Sequence, residues 1–388
     1  MSTLLSESTP QAATAEETRN DRGGWIVGVL LFSSLCIVVG LIWDISWHMT
    51  IGRDTLWSAP HVLEQVGAAL AGLSCGYVAL RTTFAGTPEQ RAATVRFWGF
   101  RAPLGAWIAI WGAFAMIFSV PFDNWWHNAY GLDVEILSPP HVVLMSGALA
   151  IQIAAIIVSV GFQNRAPDGR RYAVACVIGA GALVAMVALG ISEFTIQPNT
   201  WHTGLTWMIA GLVFPYLLCG ISRAGRLRWP GTWAALAYMA IFLVTQWILV
   251  QFPATPRLTP IVRPLTQMAA YGFPMLLVVP ASAFDLLIRK WDDIGDWKLA
   301  GVLGSAFVIL IVAVHWPFAT FLLESPLAQN DFFLARHWPY FATPGEWERT
   351  FFDPQPLLNV RLLFAMLLAT VSARAGLAWG AWLRRVRR

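Results

Sequence analysis

Charge is scarce in this chain. Only 12% of its 388 residues are Asp, Glu, Lys or Arg, whereas 57% are apolar. A soluble domain carries about twice that share of charge, so the composition excludes one and indicates a polytopic membrane protein surrounded by lipid. The small excess of positive charge, +4, comes mainly from arginine in short connections; that pattern concerns membrane topology and gives no reason to expect a nucleic-acid partner. Cysteine is nearly as scarce. Cys36, Cys75, Cys176 and Cys219 each sit inside an apolar stretch without CxxC spacing, which argues against a disulfide framework or a thiolate metal site and leaves them as small packing residues. A phosphate-binding glycine loop, a Ser/His/Asp order and a CxxCH haem motif are all missing. Residues 1–22 are polar and lack the basic, apolar and cleavage regions of a signal peptide, so they are expected to form a disordered cytoplasmic tail.

What the chain does have is long apolar runs. Ten approach the roughly 20 residues needed to span a bilayer, near 24–43, 61–82, 103–121, 141–162, 172–193, 202–222, 231–251, 266–288, 299–322 and 362–383. The expected fold is an all-α, polytopic membrane helix bundle of about ten transmembrane helices. The basic clusters Arg81–Arg101, Arg165–Arg171, Arg223–Arg228, Arg289–Lys290 and Arg384–Arg388 fall in alternate connections, and the intervening ones are poorer in Lys and Arg. By the positive-inside rule both termini are then cytoplasmic. Tryptophan, present 21 times, suits a chain with many membrane interfaces. A long connection, 323–360, is rich in proline and aromatics and is expected to be an ordered cap on the outer face.

The most informative stretch joins the first two runs. Asp44 and His48 lie four residues apart, one turn apart on the same helix face. Pro60 suits the first turn of the next helix and sets His61 at its start. Asp, His and His can thus converge on a transition metal. The pattern returns: Asp123, His127 and His141 repeat Asp44, His48 and His61, with Gly131 matching Gly52 and Asp133 matching Asp54, given one inserted residue before Pro140. Such an internal duplication makes coincidence improbable. Both first helices run in the same direction, so the repeat is parallel, and both sets belong at the outer face. Residues 23–163 form the repeated metal-binding helix pairs, and residues 164–388 supply additional transmembrane helices. Arg53, Asp54 and Asp133 suit a supporting role that orients ligands. Glu64, one turn after His61, suits an extra ligand or a proton acceptor. Imidazole with carboxylate accepts copper, zinc or iron.

The run Asp44-Ile45-Ser46-Trp47-His48, followed by Arg53-Asp54-Thr55-Leu56-Trp57-Ser58-Ala59-Pro60-His61, resembles a metal-site signature of the copper membrane monooxygenases, which oxidise methane, ammonia or short hydrocarbons. The signature belongs to that family's metal-binding transmembrane subunit, and nothing in the chain resembles the soluble copper domain carried by another of its subunits. The family's Asp-x3-His-x12-His set matches Asp44, His48 and His61. Its second set, Asn-x3-His-x13-His, matches Asp123, His127 and His141, with Asp where the family usually has Asn. The resemblance covers roughly residues 40–150, in a chain longer than that transmembrane subunit usually is. It implies copper as cofactor and O2-dependent oxidation of a small apolar substrate or ammonia, alone or within a complex. It further implies other monooxygenase-like subunits or a homo-oligomer as partners, a quinol or other external electron donor, and a bacterial inner membrane with the sites toward the periplasm. Two other readings remain: a non-catalytic copper-binding or delivery protein, and a structural membrane protein whose metal pins its helices.

Outside the repeat, Glu193, Gln197, His202, His315 and His337 lack repeat spacing and are expected to be hydrogen-bonded interfacial residues. Arg374, inside the last run, is expected to snorkel or pair internally.

Overall fold

The computed structural model describes residues 24–131, 138–196, 200–343 and 357–387. The expected N-terminal tail, Asp133, Gln197, the Glu193 side chain and part of the long outer loop lie outside the described residues. The chain is all-α, with helices α1 (Trp25–Thr50), α2 (Ala59–Ala85), α3 (Leu104–Tyr130), α4 (Pro139–Arg165), α5 (Arg170–Gly190), α6 (Gly204–Ala224), α7 (Pro230–Leu249), α8 (Val278–Trp291), α9 (Asp296–Glu324) and α10 (Leu358–Leu383). Among the described residues, nine of these, all but α8, are long and apolar enough to cross a membrane. The sheet among the described residues is one small hairpin, Val95–Phe97 with Phe100–Ala102, between α2 and α3.

The two halves of the repeat share their local construction. Ser58 and Ser138 precede α2 and α4 with nearly the same backbone angles, −59°/145° and −65°/154°, and proline follows within the first turn. The prolines give up N–H groups that would have no partner inside the helix. At the ends of α1 and α3 the chain leaves through Gly52 and Gly131, both with positive φ (81° and 95°), a region open to glycine at little cost. Helix α1 is the more central, with Leu30, Ile37 and Ile42 fully buried. Helix α3 turns Trp111, Phe114, Phe118 and Trp125 outward, as a lipid-facing surface does.

The eighth expected span, 266–288, takes a different form. Its helix starts only at Val278 and is 14 residues long, about 21 Å against a hydrocarbon core of about 30 Å. Gly272, at φ 121°, and Pro274, which has no N–H, keep the preceding stretch non-helical. That stretch nevertheless enters the bundle, where Met268, Ala270, Phe273 and Met275 are buried. Buried backbone without its own helical bonds must find partners elsewhere. Thr50 Oγ1 accepts from Ala269 N (2.7 Å), Tyr238 OH from Met275 N (3.0 Å) and His315 Nε2 from Leu276 N (2.7 Å). Gln246 donates to Gly272 O at 2.8 Å and accepts from Tyr271 N. His315 is therefore a core residue rather than an interfacial one, fully buried against Trp201.

At the face carrying the arginine-rich connections, Arg223 pairs with Asp292 (2.7 Å) and Asp296 (2.8 Å), and Asn164 donates to the carbonyls of Leu383 and Val386 (2.9 Å each). Arg374 reaches the same cluster, 3.7 Å from Asp296. At the opposite face, residues 250–277 and 325–343 fold over the ends of α1 and α2. Tyr340 N donates to Met49 O (3.0 Å), Arg257 N to Ile51 O (2.9 Å), and Val262 N and Arg263 N to Tyr340 O (3.0 and 2.8 Å). The described part of the long outer connection is thus an ordered cap.

Candidate metal centres

At the end of α1, Asp44 and His48 face across to His61 in the first turn of α2, and the connecting turn adds Asp54. His61 Nε2 lies 3.2 Å from Asp44 Oδ1 and 3.2 Å from Asp54 Oδ2; His48 Nε2 lies 3.7 Å from Asp44 Oδ2 and 3.6 Å from Asp54 Oδ2. Ligand atoms of Asp44, Asp54 and His61 all fall within 4.8 Å of one another, close enough to share one ion. In the second helix pair, His127 Nε2 is 3.3 Å from Asp123 Oδ2 and His141 Nε2 is 3.7 Å from Asp123 Oδ1. The structure therefore places each Asp within 3.2–3.7 Å of both histidines of its set; among the described residues the group with all ligand atoms in reach of one ion is Asp44, Asp54 and His61.

The hydrogen bonding orients the imidazoles. His61 Nδ1 is 3.0 Å from Thr55 O, and His127 Nδ1 is 3.3 Å from Gly131 O. A carbonyl only accepts, so these nitrogens carry the proton. Each Nε2 then presents a lone pair to carboxylate oxygens unless it takes a second proton. On the carboxylate side, Asp44 Oδ1 and Asp123 Oδ1, equivalent atoms in the two repeats, are buried and face the imidazole Nε2 atoms of His61 (3.2 Å) and His141 (3.7 Å). A second proton on the imidazoles or a cation between the groups would satisfy both ends. The residues fit a divalent transition metal.

Arg53, Asp54 and Glu64, expected in a supporting role, surround the first cluster at different ranges. Asp54 stands among the ligand atoms, as close to His61 as Asp44 is. Burial works to raise its carboxyl, but the His48 and His61 imidazoles beside it outweigh that and hold it below the usual carboxylate range. Arg53 is exposed, and its carbonyl accepts from Trp47 Nε1 at 3.0 Å. Glu64 is 2% exposed, and its Oε1 accepts no hydrogen bond.

Both clusters open into one cavity of about 900 Å³. Leu41, Ile45, Leu144 and Met145 line its bundle side, and Phe273 with residues 333–341 close it from the cap side. The motif spacing gave no hint of Phe273 or Tyr340, which lie far along the chain from either motif; the aromatic content of the 323–360 connection was the one signal for Tyr340. In the cap itself, His337 is held by Asp331 (2.8 Å), which also takes Arg336 at 2.6 Å. The Asp331 carboxyl is opposed by burial, yet the hydrogen bonds from His337 and Arg336 prevail and keep it below its ordinary value. His202 packs edge-on against Trp316, and burial lowers its pKa.

Compared with protein-family models, curated proteins and solved structures, the chain matches none.

Proposed function

We propose that this chain is a membrane metalloprotein related to the metal-binding transmembrane subunit of the copper membrane monooxygenases, with two metal sites, Asp44/His48/His61 and Asp123/His127/His141. One observation carries the reading: in both repeats a carboxylate with one buried oxygen faces imidazole Nε2 atoms from two helices, and in each repeat an imidazole Nδ1 is committed to a carbonyl. The proposed metal is copper, on the family resemblance, and bound copper would supply the activation of O2.

The protein's own residues then have distinct tasks. The histidines and aspartates bind; the carbonyls of Thr55 and Gly131 fix the imidazole tautomer and ring direction. Leu41, Ile45, Leu144, Met145 and Phe273 offer a small apolar substrate a surface that water does not favour, and the cap limits solvent entry. A chamber of this kind favours oxidation of a small apolar molecule over metal delivery, which needs no substrate pocket. Reductant, a quinol by resemblance, comes from outside the chain, as do any companion subunits. The positive-inside rule reads the arginine-rich face opposite the histidines as cytoplasmic, which supports sites on the outer side; a bacterial inner membrane rests on the resemblance.

The test is metal analysis of protein kept in native lipid, followed by O2 uptake with short hydrocarbons or ammonia and a quinol. About two copper equivalents with substrate-dependent O2 uptake is expected. Copper without uptake leaves a binding protein, and protein without bound metal overturns the reading.

A further inference from the structure

Resting on that metal reading, we infer that Asp54 is a direct ligand of the first site, delivered by a glycine turn that the cap locks in place. A residue that merely orients a ligand stands behind it, on the side away from the metal. Asp54 is on the metal side. Its Oδ2 is 3.2 Å from His61 Nε2 and 3.6 Å from His48 Nε2, and those are the imidazole nitrogens left to face a cation. The back of the His61 ring is already served by backbone, with Nδ1 on Thr55 O. Ligand atoms of Asp44, Asp54 and His61 lie within 4.8 Å of one another, so a cation at His61 Nε2 would meet both carboxylates, with His48 Nε2 3.6–3.7 Å from the same two groups. Two carboxylates neutralise a divalent ion, which a site at a membrane interface needs.

The backbone shows how Asp54 gets there. Two residues earlier, Gly52 turns the chain at φ 81°, and the ring of Tyr340 fills the space a Cβ would take. Tyr340 is 5% exposed and is itself pinned to the end of α1 through Met49 O at 3.0 Å. Arg257 N holds Ile51 O at 2.9 Å on the other side. The turn carrying Asp54 is therefore clamped by chain from two distant segments, and binding at the first site is coupled to cap closure. In the sequence Asp133 is the counterpart of Asp54.

The experiment loads Cu(II) into the purified full-length protein, wild type and Asp54→Asn, and reads stoichiometry, affinity and the electron paramagnetic resonance spectrum. The second site reports folding in each variant. A ligand role predicts that Asp54→Asn weakens one of two sites by more than about 100-fold, beyond the 10–100-fold of an outer partner, changes the spectrum of any copper still held there, and leaves the other site intact. Asp54→Glu, which keeps the carboxylate, recovers part of the affinity. An unchanged spectrum with an affinity loss under about tenfold overturns the ligand role while the two-site reading stands. No copper in the wild type overturns the two-site reading itself.

Discussion

Helix pairs α1–α2 and α3–α4 present the same Asp/His/His set, yet they surround it differently. In the first pair Asp44 is joined by Asp54 from the turn and by Glu64 one turn beyond His61. In the second pair the residue corresponding to Glu64 is Leu144. The swap is matched across the helix interface. Gly40 leaves room for the Glu64 side chain, whose Cγ lies 2.5 Å from where a Cβ would be; at the equivalent place in the second pair stands Ser119. Duplication preserved the ligands and let the neighbouring layer diverge. The first pair has one more acidic group, Glu64, and a clamp from the cap, and α1 is central in the bundle while α3 has a lipid-facing side. Equal Asp/His/His sets therefore need not mean equal sites.

The largest effect expected is loss of a site. His48→Ala and His127→Ala, made separately, should each remove about one metal equivalent of two. Loss of all metal from either variant would mean one shared centre, and full retention in both would remove the ligand assignment.

The turn glycines offer a second contrast. Gly131 has φ 95° and ψ −173°, a region nearly restricted to glycine, and alanine there costs about 1–3 kcal/mol; among the described residues nothing lies within 4 Å of where a Cβ would be. Gly52 adds collision with the buried Tyr340 ring to its positive φ. Gly52→Ala should therefore lower thermal stability more than Gly131→Ala and should loosen metal at the first site only. Equal losses in the two variants would show that the clamp contributes nothing to the difference.

A third change restores the symmetry. Glu64→Leu copies the second pair into the first, removing a buried carboxylate whose oxygen has no hydrogen-bond donor. The metal-free protein should become more stable, because a buried carboxyl oxygen without a hydrogen-bond partner is destabilising. Metal affinity at the first site should fall about tenfold, the scale of a nearby supporting group. Calorimetry of metal-free protein and a copper titration check the two directions. A stability loss would mean that Glu64 holds a structural partner instead.

These contrasts also mark how far the sequence could be read. The bundle was legible because apolar runs of membrane-spanning length leave few alternatives, and the ligands because a four-residue step and a Pro-His start recur twice in one chain. The eighth span misled because apolar content says nothing of hydrogen bonding: Gly272 and Pro274 break the helix, and distant Gln246, Tyr238 and His315 make good the missing bonds. The approach of Asp54 to His61 was not legible, since its position depends on Gly52, Tyr340 and Arg257 together, a contact no local spacing encodes.

The smallest effect expected is at the rim of the cap, where Asp331 takes Arg336 and His337. Its carboxyl sits below the ordinary aspartate value, so the pair's contribution is complete above that ordinary value, about pH 4, and disappears as pH falls through the lower folded value. Asp331 is 40% exposed, and solvent screening limits such a pair to about 1 kcal/mol or less. Acid would also protonate the metal ligands, so Asp331→Asn at neutral pH is the cleaner probe. It should hasten proteolysis within 325–343 slightly and weaken metal at the first site by less than about fivefold, a fraction of the roughly 1.4 kcal/mol per decade. The second site should not respond, because Tyr340 clamps the turn of the first. An equal response at both sites would mean that the cap acts on the whole chamber, by admitting water, and that the asymmetry between the two helix pairs does not extend to the cap.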